Sequence, residues 1–136
     1  DALELARKNS ALNGTIDRVK FFHNDILNDG EVGNDFDVIV SNPPYVSGKD
    51  FERLRPELKI YEPRRALTDD ADGLIYYRKI LSKADRLLKS GGRLFFEIGQ
   101  GQSASVKDIF EEYNFTAIRI KNDYLNIERV ISGVLN

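Results

Sequence analysis

The stretch from Phe36 to Tyr45 reads FDVIVSNPPY and decides the fold of this chain. Its first half is an apolar run typical of a buried strand, and an Asn followed by two prolines ends that strand. Neither proline donates a backbone hydrogen bond and each fixes its own φ, so the loop is stiff and its carbonyls are free to accept. The sequence therefore predicts a rigid polar loop at the carboxyl edge of a sheet, where ligands bind in open α/β folds.

The acceptors of this loop suit a planar NH2 group. Asn42 Oδ1 and the Pro43 carbonyl could accept its two N–H bonds while Tyr45 stacks on its face. Asn-Pro alone is a common turn opener, and Pro-Pro often merely ends a strand. The complete tetrapeptide Asn42-Pro43-Pro44-Tyr45, placed directly after a buried strand, favours N-methyl transfer to a planar amino group without indicating which one.

Composition excludes several classes of protein. The chain has 136 residues, one domain at most, and no apolar run as long as a membrane span. It has no cysteine, which excludes disulfides and thiolate metal sites and fits a cytoplasmic protein, and we predict no metal site. A net charge of −2 argues against a broad nucleic-acid footprint.

The chain contains no methionine and begins at Asp1 inside an apparent helix. We therefore interpret residues 1–136 as a fragment of a longer chain whose beginning is missing.

Periodicity and turn residues predict alternating helices and strands. This alternation indicates an α/β sheet with crossover helices, and the short link between the last two strands predicts that they pair antiparallel. A long excursion over residues 46–72 should carry one short helix. The predicted helices are 2–12, 74–88 and 103–113, and the predicted strands are 19–22, 36–41, 93–98, 116–121 and 128–134.

Four blocks besides Asn42–Tyr45 follow the order of one known family. The chain resembles the carboxyl-terminal part of the protein-(glutamine-N5) methyltransferases of the PrmC/HemK type, which use S-adenosylmethionine to methylate the GGQ glutamine of peptide chain release factors. Asn-Pro-Pro-Tyr alone is shared with DNA adenine and some RNA methyltransferases, so the other blocks make the resemblance specific. They are EPRRAL at 62–67, DGL at 72–74 with Tyr77-Arg78, LKSGGRL at 88–94 with EIG at 97–99, and Asp123-Tyr124 with ERV at 128–130.

The resemblance implies the seven-stranded class I S-adenosylmethionine-dependent methyltransferase fold, a Rossmann-like sheet with strand order 3-2-1-4-5-7-6. Strands 3 to 7 should be present here, whereas the Gly-rich cofactor loop and any amino-terminal helical domain should lie upstream of Asp1. Asp25 matches the position that meets the exocyclic amine of adenine, and Ile26 the position that contacts the ring. Asn42 to Tyr45 match the catalytic and substrate-binding positions, with Asn42 also beside the cofactor. The isolated chain is expected to be incomplete and inactive.

Other residues carry weaker predictions. Glu62 and Arg64 are candidates for supporting the substrate loop or contacting the release factor, with a surface ion pair as the alternative. Glu97 either makes a hydrogen bond at the site or is structural. We expect Tyr76 and Tyr77 to belong to a helix core and not to a stacking platform, and Glu128-Arg129 to fix the last strand.

Three alternatives stay open. The first is a nucleic-acid amino methyltransferase acting on adenine N6 or guanine N2. The second is a ribosomal-protein glutamine methyltransferase, which would use identical chemistry on a different partner. The third is a non-catalytic interaction module.

Overall fold

The computed structural model describes residues 2–28 and 33–136. The chain divides into two compact units, 1–32 and 33–136.

The first unit is built around one helix, α1 (Ala2–Leu12), as predicted. The helix ends at Asn13-Gly14, where Gly14 has a φ of 63°, and a single 3-10 turn follows at Ile16–Arg18. The predicted strand at 19–22 is wrong, because no strand is formed there. The Val19 backbone is extended (φ −115°, ψ 125°), but within the described ranges no segment pairs with residues 19–22. A strand requires a neighbour for its hydrogen bonds, so the extended conformation alone is not enough.

The second unit contains a four-stranded sheet with strand order β1-β2-β4-β3. The strands β1 and β2 are parallel, while β4 is antiparallel to both β2 and β3. This arrangement confirms the predicted antiparallel final pair, and it corresponds to the 4-5-7-6 portion of the implied strand order. The sheet therefore has four of the five expected strands. They are β1 (Phe36–Ser41), β2 (Leu88–Glu97), β3 (Phe115–Asn122) and β4 (Glu128–Leu135).

The helices of this unit agree with the predictions only in part. The excursion over 46–72 carries three short helices instead of one, and the predicted helix at 74–88 is broken into two. The break lies at Ser82-Lys83, and the glycines expected to end that helix lie inside β2 instead. The helices are α2 (Gly48–Phe51), α3 (Pro56–Tyr61), α4 (Arg64–Leu67), α5 (Ile75–Leu81), α6 (Ala84–Leu87) and α7 (Ser103–Glu112).

A chain of aromatic rings forms the centre of the core. Tyr77 on α5 packs edge-on against Phe96 of β2, with ring centroids 5.0 Å apart. Phe96 then meets Phe110 of α7 at 5.5 Å, and Phe110 meets Phe115 at 5.1 Å. All four side chains are buried, so α5 and α7 are anchored on one face of the sheet. This anchoring confirms the prediction of a helix-core position for Tyr77, whereas Tyr76 is only partly buried.

Candidate functional site

The Asn42–Tyr45 segment leaves β1 at its carboxyl end, as predicted. Asn42 is exposed, whereas Pro43 is buried and anchors the loop. Within the described ranges, neither the Asn42 side-chain amide nor the Pro43 carbonyl takes part in a hydrogen bond. The loop therefore holds two acceptors that no described residue uses, on a stiff backbone at the carboxyl edge of the sheet.

Tyr45 ties this loop to the end of β2. Because β1 and β2 are parallel, with Ser41 opposite Phe96, the residues after Phe96 emerge at the same edge as the loop. The Tyr45 hydroxyl donates to Glu97 Oε1 at 3.4 Å. A Cβ added to Gly99 would lie 3.0 Å from Tyr45 Cδ2, so the ring lies directly against that glycine. Burial, and then the Glu97 charge, raise the pKa of Tyr45, so its hydroxyl stays protonated and available to donate.

The segment that follows Tyr45 is bound to residues 67–71. The Val46 N–H donates to the Leu67 carbonyl at 2.9 Å, and the Gly48 N–H donates to the Ala71 carbonyl at 2.9 Å. Residues 67–71 therefore fix the segment that follows the loop. The Asp-Gly-Leu block at 72–74 continues directly from them and so belongs to the site.

Asp69 organises the turn that leads into this block. Its carboxylate accepts the backbone N–H groups of Ala71, Gly73 and Ile75. Gly73 has a φ of +79°, and a Cβ there would overlap the Tyr45 carbonyl oxygen. Only glycine adopts this positive φ without strain and also leaves room for the Tyr45 carbonyl oxygen.

Gln102 is a site residue that the sequence-based predictions missed. Its Nε2 donates to the Tyr45 carbonyl at 2.9 Å, and its Oε1 accepts from the Gly99 N–H at 2.9 Å. Gln102 occupies the N-cap of α7, where Ser, Asp or Asn is usual, but its side chain does not cap the helix and makes these long-range contacts instead, which the local sequence does not indicate.

The final strand is fixed at the same edge. The Arg129 Nη1 donates to the Ile98 carbonyl at 3.2 Å, and its Nε lies 3.5 Å from Asp123 Oδ2. The Ser103 hydroxyl donates to the Glu128 carboxylate. The expectation that Glu128 and Arg129 fix β4 is therefore confirmed.

Arg64 and Glu62 differ in their surroundings. The Arg64 guanidinium lies 4.0 Å from the centroid of the Phe51 ring, and its Nη2 pairs with Asp70 Oδ1 at 2.5 Å. For Arg64 the structure therefore shows the surface ion pair that was the alternative prediction. Glu62 is exposed at the end of α3, and its carboxylate has no partner among residues 2–28 and 33–136. The contact of Glu62 with a protein substrate stays a prediction.

Asp25 and Ile26 belong to the first unit. Asp25 Oδ1 accepts the Leu27 N–H and Oδ2 accepts from Asn28 Nδ2, both at 3.0 Å, so the carboxylate stabilises a local turn. The adenine contacts expected of Asp25 and Ile26 stay predictions.

Two kinds of feature were not found in the part of the chain that the structure describes. No group of three or more His, Cys, Asp or Glu residues could hold a metal ion there. No helix among those residues is both long and apolar enough to cross a bilayer.

The chain matches a family of methylases over most of its length. A family profile described as Eco57I restriction-modification methylase matches residues 3–118. The chain belongs to this family.

The chain is also similar to proteins named release factor glutamine methyltransferase. It is 44% identical over 132 residues to the one from Fusobacterium nucleatum, an alignment that covers 96% of this chain. It is 36% identical over 135 residues to the one from Clostridium acetobutylicum, covering 98% of this chain. The predicted resemblance to the PrmC/HemK type is confirmed. The chain spans 36% and 47% of the lengths of these two relatives.

A solved structure confirms the fold class. The S-adenosylmethionine-dependent methyltransferase SibL superposes with a TM-score of 0.57 at 17% identity, covering 98% of this chain and 40% of SibL. The chain therefore has a truncated Rossmann-like methyltransferase fold, with four of the five strands that the sequence predicts.

Proposed function

We propose that the protein containing this chain transfers a methyl group from S-adenosylmethionine to the N5 nitrogen of a glutamine side chain in a protein substrate. The observation that carries the proposal is the pair of unused acceptors, Asn42 Oδ1 and the Pro43 carbonyl, held on a rigid loop at the carboxyl edge of the sheet. The relatives named release factor glutamine methyltransferase indicate the substrate, the GGQ glutamine of a peptide chain release factor. A cytoplasmic location follows from that substrate and is part of the proposal.

The role of the two acceptors follows from amide chemistry. An amide nitrogen is a poor nucleophile because its lone pair is delocalised into the carbonyl. Asn42 and Pro43 would accept the two N–H bonds out of the amide plane, which favours a pyramidal nitrogen and directs its lone pair. Positioning and electrostatic stabilisation then account for most of the rate.

Tyr45 and Pro44 complete the substrate side of the site in this proposal. The Tyr45 ring would stack on the planar amide group of the substrate. Pro44 would keep the backbone between Pro43 and Tyr45 stiff. No general base is required before the attack, because the nitrogen becomes acidic once it is methylated.

Three residues are proposed to contact S-adenosylmethionine. Asp25 carries an exposed carboxylate that fits the exocyclic amine of an adenine, and the partly buried Ile26 fits the adenine ring. Asn42 would lie beside the reacting methyl group. S-adenosylmethionine, when bound, supplies that methyl group on an electrophilic sulfonium.

Glu62 is the proposed contact with the release factor outside the reacting amide. It is exposed at the end of α3 in the excursion that begins directly after the loop, and its carboxylate is unpaired among the described residues. A charged group with these properties can pair with a basic residue of a protein partner.

An assay with three substrates separates this proposal from its alternatives. The full-length gene product would be incubated with labelled S-adenosylmethionine and a release factor, a ribosomal protein or duplex DNA. Labelling of the GGQ glutamine alone is the expected result. Methylation of DNA would instead favour the nucleic-acid methyltransferase alternative. Methylation of the ribosomal protein would leave the proposed reaction unchanged and identify a different protein substrate.

A further inference from the structure

Gln102 uses both ends of its side-chain amide to connect three segments. Its Nε2 donates to the Tyr45 carbonyl at 2.9 Å and lies 3.4 Å from the Gly73 carbonyl, while its Oε1 accepts from the Gly99 N–H at 2.9 Å. The two carbonyls can only accept and the N–H can only donate. One orientation of the amide therefore satisfies all three groups, and a side chain without both functions cannot replace it.

Two glycines make room for this amide. A Cβ on Gly99 would lie 2.7 Å from Gln102 Oε1, and a Cβ on Gly73 would lie 2.9 Å from Gln102 Nε2. Real Cβ atoms do not approach neighbours this closely, so each glycine leaves space that the Gln102 side chain fills. The Tyr77 hydroxyl closes the cluster by donating to the Glu97 carbonyl at 2.9 Å.

We propose that Gln102 is a positioning residue for methyl transfer. It holds the Tyr45 carbonyl and thereby sets the direction of the Asn42 and Pro43 acceptors, because the two prolines leave the loop little other freedom. Gln102 itself touches no reacting atom in this proposal. The inference rests on the proposed function, since it assigns to Gln102 the geometry on which that function depends. A displacement of about 1 Å at a reacting group can cost about 100-fold in rate.

The test compares Gln102→Glu with Gln102→Met in the full-length enzyme. Below its pKa the introduced carboxyl can donate to the Tyr45 carbonyl while accepting from the Gly99 N–H, as the amide does. Above its pKa the carboxylate faces two carbonyl oxygens and repels them. Met fills similar volume but forms neither hydrogen bond at any pH.

Surrounding groups set the pH at which the introduced carboxyl ionises. The carboxylates of Asp69, Glu97 and Glu128 and the two backbone carbonyls raise the pKa of the introduced carboxyl. The Arg129 guanidinium lowers it. The titratable and charged groups around position 102 are Tyr45, Asp69, Tyr77, Glu97, Glu128 and Arg129.

The readouts are kcat and KM for a release factor between about pH 6 and pH 9, each relative to wild type at the same pH, with the thermal midpoint as a folding check. We expect Gln102→Glu to lose about 100-fold in kcat at the alkaline end and to regain activity towards the acidic end. Gln102→Met should stay low throughout. KM should change little in both.

Gln100→Glu is the matched control. Gln100 is exposed, has no side-chain hydrogen bond among the described residues, and lies two positions away, so the variant makes the same charge change outside the cluster. Its kcat should follow wild type at every pH. The proposal is overturned if Gln102→Glu matches Gln100→Glu across the range, or if Gln102→Met keeps wild-type kcat. If Gln102→Glu fails to fold, the kcat of Gln102→Met decides. An inactive wild type would count against the proposed function instead.

Amide hydrogen exchange gives a readout that needs no substrate. The Val46 and Gly48 N–H groups are hydrogen-bonded to residues 67 and 71. Their exchange should be faster in Gln102→Met than in Gln100→Glu, whatever reaction the enzyme catalyses. Equal protection in the two variants would contradict a positioning role.

Discussion

The Tyr45 hydroxyl donates a hydrogen bond to the Glu97 carboxylate over 3.4 Å, across 52 residues of sequence. This bond is long for an O–H donor, and the pair is only partly buried. The Tyr45 ring also lies against Gly99, where an added Cβ would be 3.0 Å from Tyr45 Cδ2. The ring should therefore matter more to the site than the hydroxyl.

Replacing Tyr45 by Phe or by Ala separates these two contributions. Tyr45→Phe removes only the long hydrogen bond, so we expect a stability loss of about 0.5 kcal/mol and a kcat within a few-fold of wild type. Tyr45→Ala removes the ring, and kcat should fall by about 100-fold. Steady-state methyl transfer to a release factor and urea unfolding measure both effects. A larger kcat loss in the Phe variant than in the Ala variant would contradict the ranking.

Asn42→Ala should nearly abolish methyl transfer. It deletes one of the two proposed acceptors, and we expect a loss of about 100-fold or more in kcat, similar to the loss of an oxyanion-hole donor. Asn42 is exposed and its amide has no hydrogen-bond partner among the described residues, so stability should change little. Asn42→Asp keeps an accepting oxygen and should retain more activity than the Ala variant. Asn34→Ala, at another exposed position, serves as the control.

Gly73→Ala and Gly101→Ala form a matched pair. Both glycines have a left-handed φ, +79° and +80°, but a Cβ at Gly73 overlaps the Tyr45 carbonyl whereas a Cβ at Gly101 meets nothing within 4 Å. Each variant should lose about 1 kcal/mol of stability from backbone strain. Only Gly73→Ala should also lose kcat, because it displaces the loop. Equal kcat values in the two variants would show that the Gly73 contact does not matter to the reaction.

Tyr77 should make stability fall at alkaline pH. Burial is the largest cause that raises the pKa of Tyr77 far above its ordinary value, followed by the charges of Tyr45 and Glu97. Above about pH 10 the unfolded chain has lost this proton while the native state keeps it, so the free energy of unfolding falls by up to about 1.4 kcal/mol per pH unit. At neutral pH the contribution of Tyr77 is fully present.

Tyr77→Phe tests this pH dependence. The variant should unfold with a shallower alkaline slope than wild type, although it is less stable at neutral pH because the Glu97 carbonyl loses the Tyr77 donor. Urea unfolding of the full-length protein between about pH 8 and pH 11 measures the difference. Tyr61→Phe, at a side chain that is 80% exposed, is the control and should keep the wild-type slope.

The 136-residue chain expressed by itself should associate and should not bind S-adenosylmethionine. Among the described residues β1 is paired along only one of its edges, and Val38 and Val40 on that strand are 50% and 76% exposed. An apolar strand with an open edge promotes edge-to-edge pairing. Size-exclusion chromatography with light scattering measures association, and calorimetry measures cofactor binding. Val40→Lys should reduce association, whereas a cooperatively folded monomer that binds S-adenosylmethionine would contradict the prediction.

The sequence alone was sufficient to predict those structural features that depend on residues close together along the chain. The apolar run at 36–41 and the two prolines after it specify where β1 ends, because both effects act within a few residues. The link between β3 and β4 is too short for a parallel crossover, so antiparallel pairing followed from chain length alone.

Two errors have the same physical origin. Residues 19–22 have the composition of a strand, but no described segment supplies their hydrogen bonds. The helical pattern at 74–88 continues through Ser82-Lys83, yet the helix breaks there, and Leu87 and Leu88 are both buried where the chain turns into β2. In each case the outcome depends on partners that local periodicity does not describe.

By itself, the sequence determined that Asn42 and Pro43 would stand as free acceptors on a stiff loop, since proline chemistry and the end of β1 are local properties. Only the tertiary structure decided what holds that loop. Gln102, Gly73 and Gly99 are distant from it in sequence, and their contacts with Tyr45 exist because parallel pairing of β1 and β2 brings the ends of both strands to one edge. Hydrogen bonds between such distant segments depend on the three-dimensional register of the sheet, which no local pattern encodes.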